Sequence, residues 1–307
     1  NEFTILGGIG YVIGILGATY IGGGAVTGTN QNNFINKMTH SDDTLSTLAA
    51  TLNTAVDFEG AGSGSGSATK GYFLNQRIGA TRATYIDDLD YSDDSSDRIA
   101  GTLSINKSFA CTGRTDDFTV IYSLGGFFNS GGDANKFTTA SETSTTISAV
   151  ITAARTSAAT GQSATDLFMI SGAGFTSIEK FLMSTETGAL TGTTIASERQ
   201  ISQGISSSEK SYLLGGVTSG VVYSDDIYSV VHSTDVTATI GSTLGRNTAY
   251  GASGSNAVRG YTFGGKSAGG TYLDEINGFL FTTETPSTLT AVLPVNTYNQ
   301  TGISNAN

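Results

Sequence analysis

The chain has 307 residues, including 41 glycines, 2 prolines, 1 cysteine and no tryptophan, and only 13% of it is charged. Glu, Lys and Gln are too sparse for long amphipathic helices, while 13 tyrosines and 15 phenylalanines suffice to bury a core, so a helical bundle and a disordered chain are both excluded. A formal charge of −11 repels phosphate backbones, which sets nucleic-acid binding aside.

The N-terminal stretch NEFTILGGIGYVIGILGATYIGGG is the most apolar part of the chain. Its run from Ile9 to Ile21 is broken by glycines, is too short to span a membrane and lacks the charged leader of a signal peptide, so buried strands and no membrane insertion are expected. Three marks then recur. The first is a short strand followed by a Ser/Thr-rich turn with an acid: NKMTHSDDT, DLDYSDDSS, NKFTTASET, EKFLMSTET, YSVVHSTDV and GFLFTTETP. The acids Asp43, Asp94, Glu142, Glu186, Asp235 and Glu284 are separated by 51, 48, 44, 49 and 49 residues.

The second mark is aromatic, apolar residue, Gly-Gly, as in SYLLGGV and GYTFGGK. Gly-Gly stands at 125–126, 215–216 and 264–265, as a triple at 22–24, and degraded to SGAG at 171–174 and LNQ at 74–76. The third mark is an arginine, Arg155, Arg199 or Arg246, placed 11 to 13 residues after its acid and lost near Asn53, Asn106 and Asn296. Four short strands per unit of about 48 residues is the pattern of one propeller blade. The chain is therefore expected to be all-β, a six-bladed β-propeller forming a single domain over residues 1–307.

The order of the three marks resembles Kelch repeats across nearly the whole chain, although the tryptophan usual in the middle of a Kelch repeat is missing from every copy. The chain looks like a divergent Kelch-like family, of the kind found in bacterial surface proteins and in tail or fibre proteins of bacteriophages, cyanophages included. From Glu284 round to Asp43 is 66 residues, more than one repeat. The surplus matches the segment NEFTILGGIG, so the ring is expected to close through the N-terminal strand, which joins the C-terminal blade. The Gly-Gly pairs are expected near the crowded axis, where a missing Cβ lets backbones approach. Tyr212, Leu213 and Leu214 should fill the inter-blade core, and the acidic turns should be hairpin connections.

The resemblance extends to copper radical oxidases, whose site takes two histidines, two tyrosines and a cysteine joined to one of them. His40 and His232 share one repeat phase, which puts them on different blades, and both read as structural. Cys111 reads as a small buried apolar residue. No GxSxG, Walker loop, HExxH or Asp-box occurs, and GAGSGSGS at 60–67 reads as a connecting loop.

Two kinds of site remain. The loops Thr27–Asn33, Phe127–Asp133 and Lys266–Tyr272 should cluster on one face, offering Asn30, Asn32, Asn33, Phe127, Phe128, Asn129, Lys266 and Tyr272 for binding. The cluster Asp87, Asp88, Asp90, Asp93, Asp94 and Asp97 reads first as a solvated acidic blade edge and second as a site for calcium as a cofactor, though its spacing is not that of an EF-hand. The expected function is non-enzymatic recognition or adhesion at an extracellular or virion surface, with a glycan or cell-surface receptor as ligand. The alternatives are an architectural subunit that associates with itself or with other virion or surface proteins, and an enzyme with an unrecognised site.

Overall fold

A computed structural model describes residues 17–27, 30–58, 64–127, 132–148, 150–152, 155–219 and 221–305. Among them there is no helix, and six small antiparallel sheets form the blades of a six-bladed propeller. Blade 3 shows the plan, running outward from the axis through Cys111–Arg114, Val120–Leu124, Ala134–Thr138 and Thr143–Ile147. The inner strands of blades 2, 4, 5 and 6 are Gly64–Gly66, Ala159–Gln162, Gln203–Ser206 and Ala252–Ser255. Blade 1 holds Ala18–Gly22, Asn30–Thr39 and Thr44–Val56 and takes its inner strand, Thr301–Ser304, from the C-terminal end.

The ring thus closes through the pairing of N-terminal and C-terminal strands, with Thr19 to Gly22 lying opposite Ser304 to Thr301. The strand that crosses between the chain's ends is the C-terminal one. The segment 1–10 expected to make the clasp lies outside the described residues.

Burial follows strand position. Second strands such as Asp166–Ile170 and Lys210–Leu214 are covered on both faces by neighbouring blades and carry continuous apolar runs. Outer strands such as Thr187–Thr194 face solvent and alternate exposed with half-buried residues, which suits their Thr-rich sequences.

The acids of the repeated turns do more than shape hairpins. Each lies in the left-handed region, with φ between 50° and 57°, a conformation side chains seldom adopt. A carboxylate is kept there because it reaches the aromatic residue of the Gly-Gly mark in the neighbouring blade. Tyr20 donates its hydroxyl to Asp94 (2.8 Å), Tyr122 to Glu186 (3.0 Å), Tyr212 to Glu284 (3.0 Å) and Tyr261 to Asp43 (2.9 Å). Each acid also meets a cation from the same neighbour. Lys37 reaches Asp94, Lys136 reaches Glu186 and Lys180 reaches Asp235 from third strands. Lys70 reaches Glu142, Lys210 reaches Glu284 and Arg259 reaches Asp43 from second strands. The six clamps hold the blades together around the ring. In blade 4 the aromatic residue is Phe168, so that clamp keeps its lysine and lacks the hydroxyl.

The Gly-Gly pairs follow the second strands of blades 1, 3 and 5 and lie within that of blade 6, and the second glycine of each packs against the linker that enters an inner strand. Both glycines of each pair have positive φ, and a Cβ on Gly215 would come within 2.4 Å of the Thr248 carbonyl in the linker to blade 6. The degraded copies keep the first positive φ at Asn75 (54°) and Ser171 (64°), and only SGAG keeps the second, at Gly172. The inner strands are crowded too: a Cβ on Gly204 or Gly302 would meet the Thr160 or Ser253 carbonyl of the preceding blade. Beneath these inner strands runs a main-chain belt. Ser157 N–H donates to the Phe109 carbonyl (3.0 Å), Ile201 to Ser157 (2.7 Å), Tyr250 to Ile201 (3.0 Å), Asn299 to Tyr250 (2.7 Å) and Phe58 to Asn299 (2.9 Å).

Candidate functional site

The ring has two faces. One carries the hairpins joining inner to second and third to outer strands. The other carries the connections from second to third strands and the linkers between blades, and here four tyrosines gather. Tyr272 opens the third strand of blade 6 and stacks on Tyr298 of the following linker, with centroids 4.7 Å apart and planes 8° from parallel. Tyr250, from the linker into blade 6, meets Tyr298 edge-on at 6.2 Å. Tyr223 completes the group, with burial first, then Tyr250 and Tyr272, holding its hydroxyl above the ordinary tyrosine range. Burial likewise raises Tyr250 and Tyr298. All four are half-buried, each presenting part of an aromatic ring at this face. Beside Tyr272 lies an open groove of about 540 Å³ lined by Val26, Thr271, Pro294, Val295 and Asn296.

Two valines next to Tyr223 stand out, Val221 at 73% exposure and Val222 at 63%. Val221 also holds φ at 62°, a strained setting for a β-branched residue.

The loop residues expected to bind divide as follows. The three loops connect second to third strands in blades 1, 3 and 6, so they leave the ring on the linker face. Asn30, Asn32 and Asn33 belong to the third strand Asn30–Thr39, not to a loop as expected, because that strand is extended by pairing with Ala25–Thr27. Asn32 accepts from the Phe34 N–H (3.1 Å), and Asn33 donates to the Leu52 carbonyl (3.3 Å). Phe127 is exposed and lies under the Arg82 guanidinium at 5.2 Å, whereas Phe128 and Asn129 lie outside the described residues. Lys266 sits over the Tyr272 ring at 5.8 Å. Gln31, not singled out by sequence, links the blades here: it donates to the Arg77 carbonyl (2.9 Å) and accepts from the Gly79 N–H (2.8 Å).

The six aspartates at 87–97 are dispersed among separate partners. Asp87 is buried against Arg98 (2.9 Å), Asp88 takes Lys70 (2.6 Å), and Asp94 belongs to a clamp. Asp90 and Asp93 cap turns at the Ser92 and Ser95 N–H groups; that bond lowers the Asp90 pKa, and the Ser95 side chain first and then its N–H lower that of Asp93. The Asp97 N–H donates to the Asp88 carboxylate (3.2 Å). Among the described residues no three His, Cys, Asp or Glu side chains are grouped so as to hold a metal ion.

His40 and His232 occupy equivalent places in blades 1 and 5. Each bonds a second-strand hydroxyl, Thr19 (2.9 Å) or Ser211 (2.8 Å), and stacks on the clamp aromatic of the preceding blade, Tyr261 or Phe168. Burial pulls His40 down to about 4 and lowers His232, so both are neutral near pH 7. Cys111 is buried, its thiol pushed up to about 11 by desolvation.

The arginine mark has a partner in each case: Arg155 meets Glu179 (3.2 Å), Arg199 meets Asp226 (2.6 Å) and Arg246 meets Glu275 (3.1 Å). Asn296, where the arginine is absent, donates to the Tyr272 carbonyl (3.0 Å). Near Asn106 the cation is present after all, as Lys107. It is fully buried, donates to the Ser123 (3.0 Å) and Asp133 (2.7 Å) carbonyls, and is drawn down to about 7 by desolvation.

On the hairpin face the axis opens into a cavity of about 390 Å³ walled by the inner strands. Its lining is dominated by Gly, Ser and Thr, and its charged members are Arg114 and Asp116. Neither a protein-family model nor a curated protein matches this chain.

Proposed function

We propose that this propeller is a recognition module that binds carbohydrate on its linker face. The observation that carries the reading is the cluster of Tyr223, Tyr250, Tyr272 and Tyr298 beside the groove ending at Asn296. Tyrosine faces accept the C–H faces of sugar rings, and their hydroxyls and a neighbouring amide bond the sugar's polar edge. The Kelch-like resemblance, with its surface-protein and phage-tail members, favours an extracellular or virion surface as the setting. A glycan array probed with the wild type and with a Tyr272→Ser/Tyr298→Ser variant tests the reading. Bound glycans should disappear in the variant while its melting temperature stays within a few degrees. Binding that survives both substitutions would refute it.

The exposure of Val221 and Val222 favours a second reading, in which this face packs against another subunit of an assembly. Sedimentation of the wild type and a Val221→Asp/Val222→Asp variant separates the two: an oligomer that the aspartates dissolve supports the architectural role.

A further inference from the structure

The cavity on the hairpin face is a second site, independent of the tyrosines. Its rim repeats one position six times, the last residue of each inner strand: Gly66, Arg114, Gln162, Ser206, Ser255 and Ser304. In the ordinary case this residue caps a neighbour. Ser206 accepts the Gln162 N–H (2.9 Å), Ser304 accepts the Ser255 N–H (3.0 Å), and Gln162 accepts the Arg114 N–H (3.0 Å) through Oε1. A small hydroxyl or an amide is all that this role needs.

Arg114 breaks the pattern. Its guanidinium reaches toward the Ser304 carbonyl of blade 1 (3.4 Å), and its flat side lies 4.5 Å from the Phe118 ring. Burial lowers its pKa from the ordinary arginine value against the opposing pull of Tyr91 and Asp116, so the charge sits in a partly desolvated place where an anionic ligand counts for more than in water. With Oε1 used on Arg114, Gln162 has its amide N–H groups left as donors beside the guanidinium. The rest of the wall is hydroxyl-rich, and the volume suits one or two sugar-sized units. Asp116 stands at the exposed end of the lining. The acidic turns on this face do not steer anions inward, so selection falls to short-range bonds at Arg114.

We infer that the axial cavity binds a small polyhydroxylated carboxylate, of the sugar-acid class, with Arg114 and Gln162 holding the carboxylate and the serine wall holding the hydroxyls. Calorimetric titration of the full chain with glucuronate, glucose and acetate tests this. Glucuronate should bind, with glucose and acetate each weaker by about tenfold or more. Arg114→Gln should weaken glucuronate by a similar factor. Ala164→Trp, at an exposed rim position, should block the cavity without touching the core and keeps the test sound if the arginine variant misfolds. Tyr272→Ser/Tyr298→Ser should leave glucuronate binding intact. No binding of glucuronate at about 50 mM, equal binding of glucose, or unchanged binding in both rim variants would overturn the inference.

Discussion

On the hairpin face the turns between third and outer strands are four or five residues long in every blade, 139–142 in blade 3 and 232–236 in blade 5 being examples. Each places an acid with the same backbone twist against the same neighbour. On the linker face the connections from second to third strands range from four residues, 268–271 in blade 6, to twelve, 215–226 in blade 5. The group of four tyrosines lies around blades 5, 6 and 1. Regular repetition is what ring closure demands, since every blade must present the same surface to the next. Departure from the repeat is where a ring can acquire a task, and the same logic picks out Arg114 on an otherwise uniform rim.

The largest expected effect tests the structural half of this contrast. Gly215→Val must force a β-branched residue into positive φ and against the Thr248 carbonyl, and should cost roughly 3–5 kcal/mol or prevent folding. Removing both histidines should cost less, and a urea titration comparing midpoints decides. If the histidine variant unfolds first, the Gly-Gly turns are not the constraint described.

Next comes the clamp itself. Tyr212→Phe should lose about 1 kcal/mol, and Phe168→Tyr should gain a similar amount by supplying the hydroxyl that Asp235 lacks. The Tyr261, His40 and Asp43 arrangement shows that the tyrosine fits beside a stacked histidine.

Lys107 sharpens the comparison through pH. Its folded value near 7 lies below the usual lysine range, so between about pH 7 and 10 the unfolded chain binds more protons and this residue's contribution to stability rises with pH. Below about pH 7 the penalty of the buried charge is fully present. Lys107→Met should flatten the rise by up to about one proton. His40 acts in a lower window: its value near 4 means that its contribution is complete above about pH 6.5 and is lost as pH falls toward 4. His40→Gln should remove that part of the acid sensitivity. Chemical denaturation at stepped pH measures both. The smallest expected effect on stability belongs to the linker face, where Tyr272→Ser should shift the melting temperature by only a few degrees.

Much of this ring was legible in the sequence. The acid spacing gave six blades, and the wrap-around distance pointed to closure by the chain's ends. The contacts that hold the ring were not legible. Tyr212 and Glu284 are separated by 72 residues, as are Lys70 and Glu142, so each mark meets the mark of the next repeat, which phase alone does not reveal. The single glycines of the inner strands went unremarked because Gly-Gly pairs are conspicuous, whereas these stand alone in strands such as ATGQ and TGIS. Lys107 escaped notice because the repeat pointed to arginine, and its ammonium is bonded by the Ser123 and Asp133 carbonyls. Of the tyrosine cluster only Tyr272 was singled out in the sequence, because Tyr223, Tyr250 and Tyr298 lie in separate connections that meet it only when neighbouring blades pack.

The most direct test of the division between faces is a glycan array read with three proteins: the wild type, Tyr272→Ser/Tyr298→Ser, and Tyr212→Phe. The account predicts glycans bound by the wild type and by the destabilised clamp variant, and lost from the linker-face variant although it remains folded. Binding lost from the clamp variant and retained in the linker-face variant would contradict it.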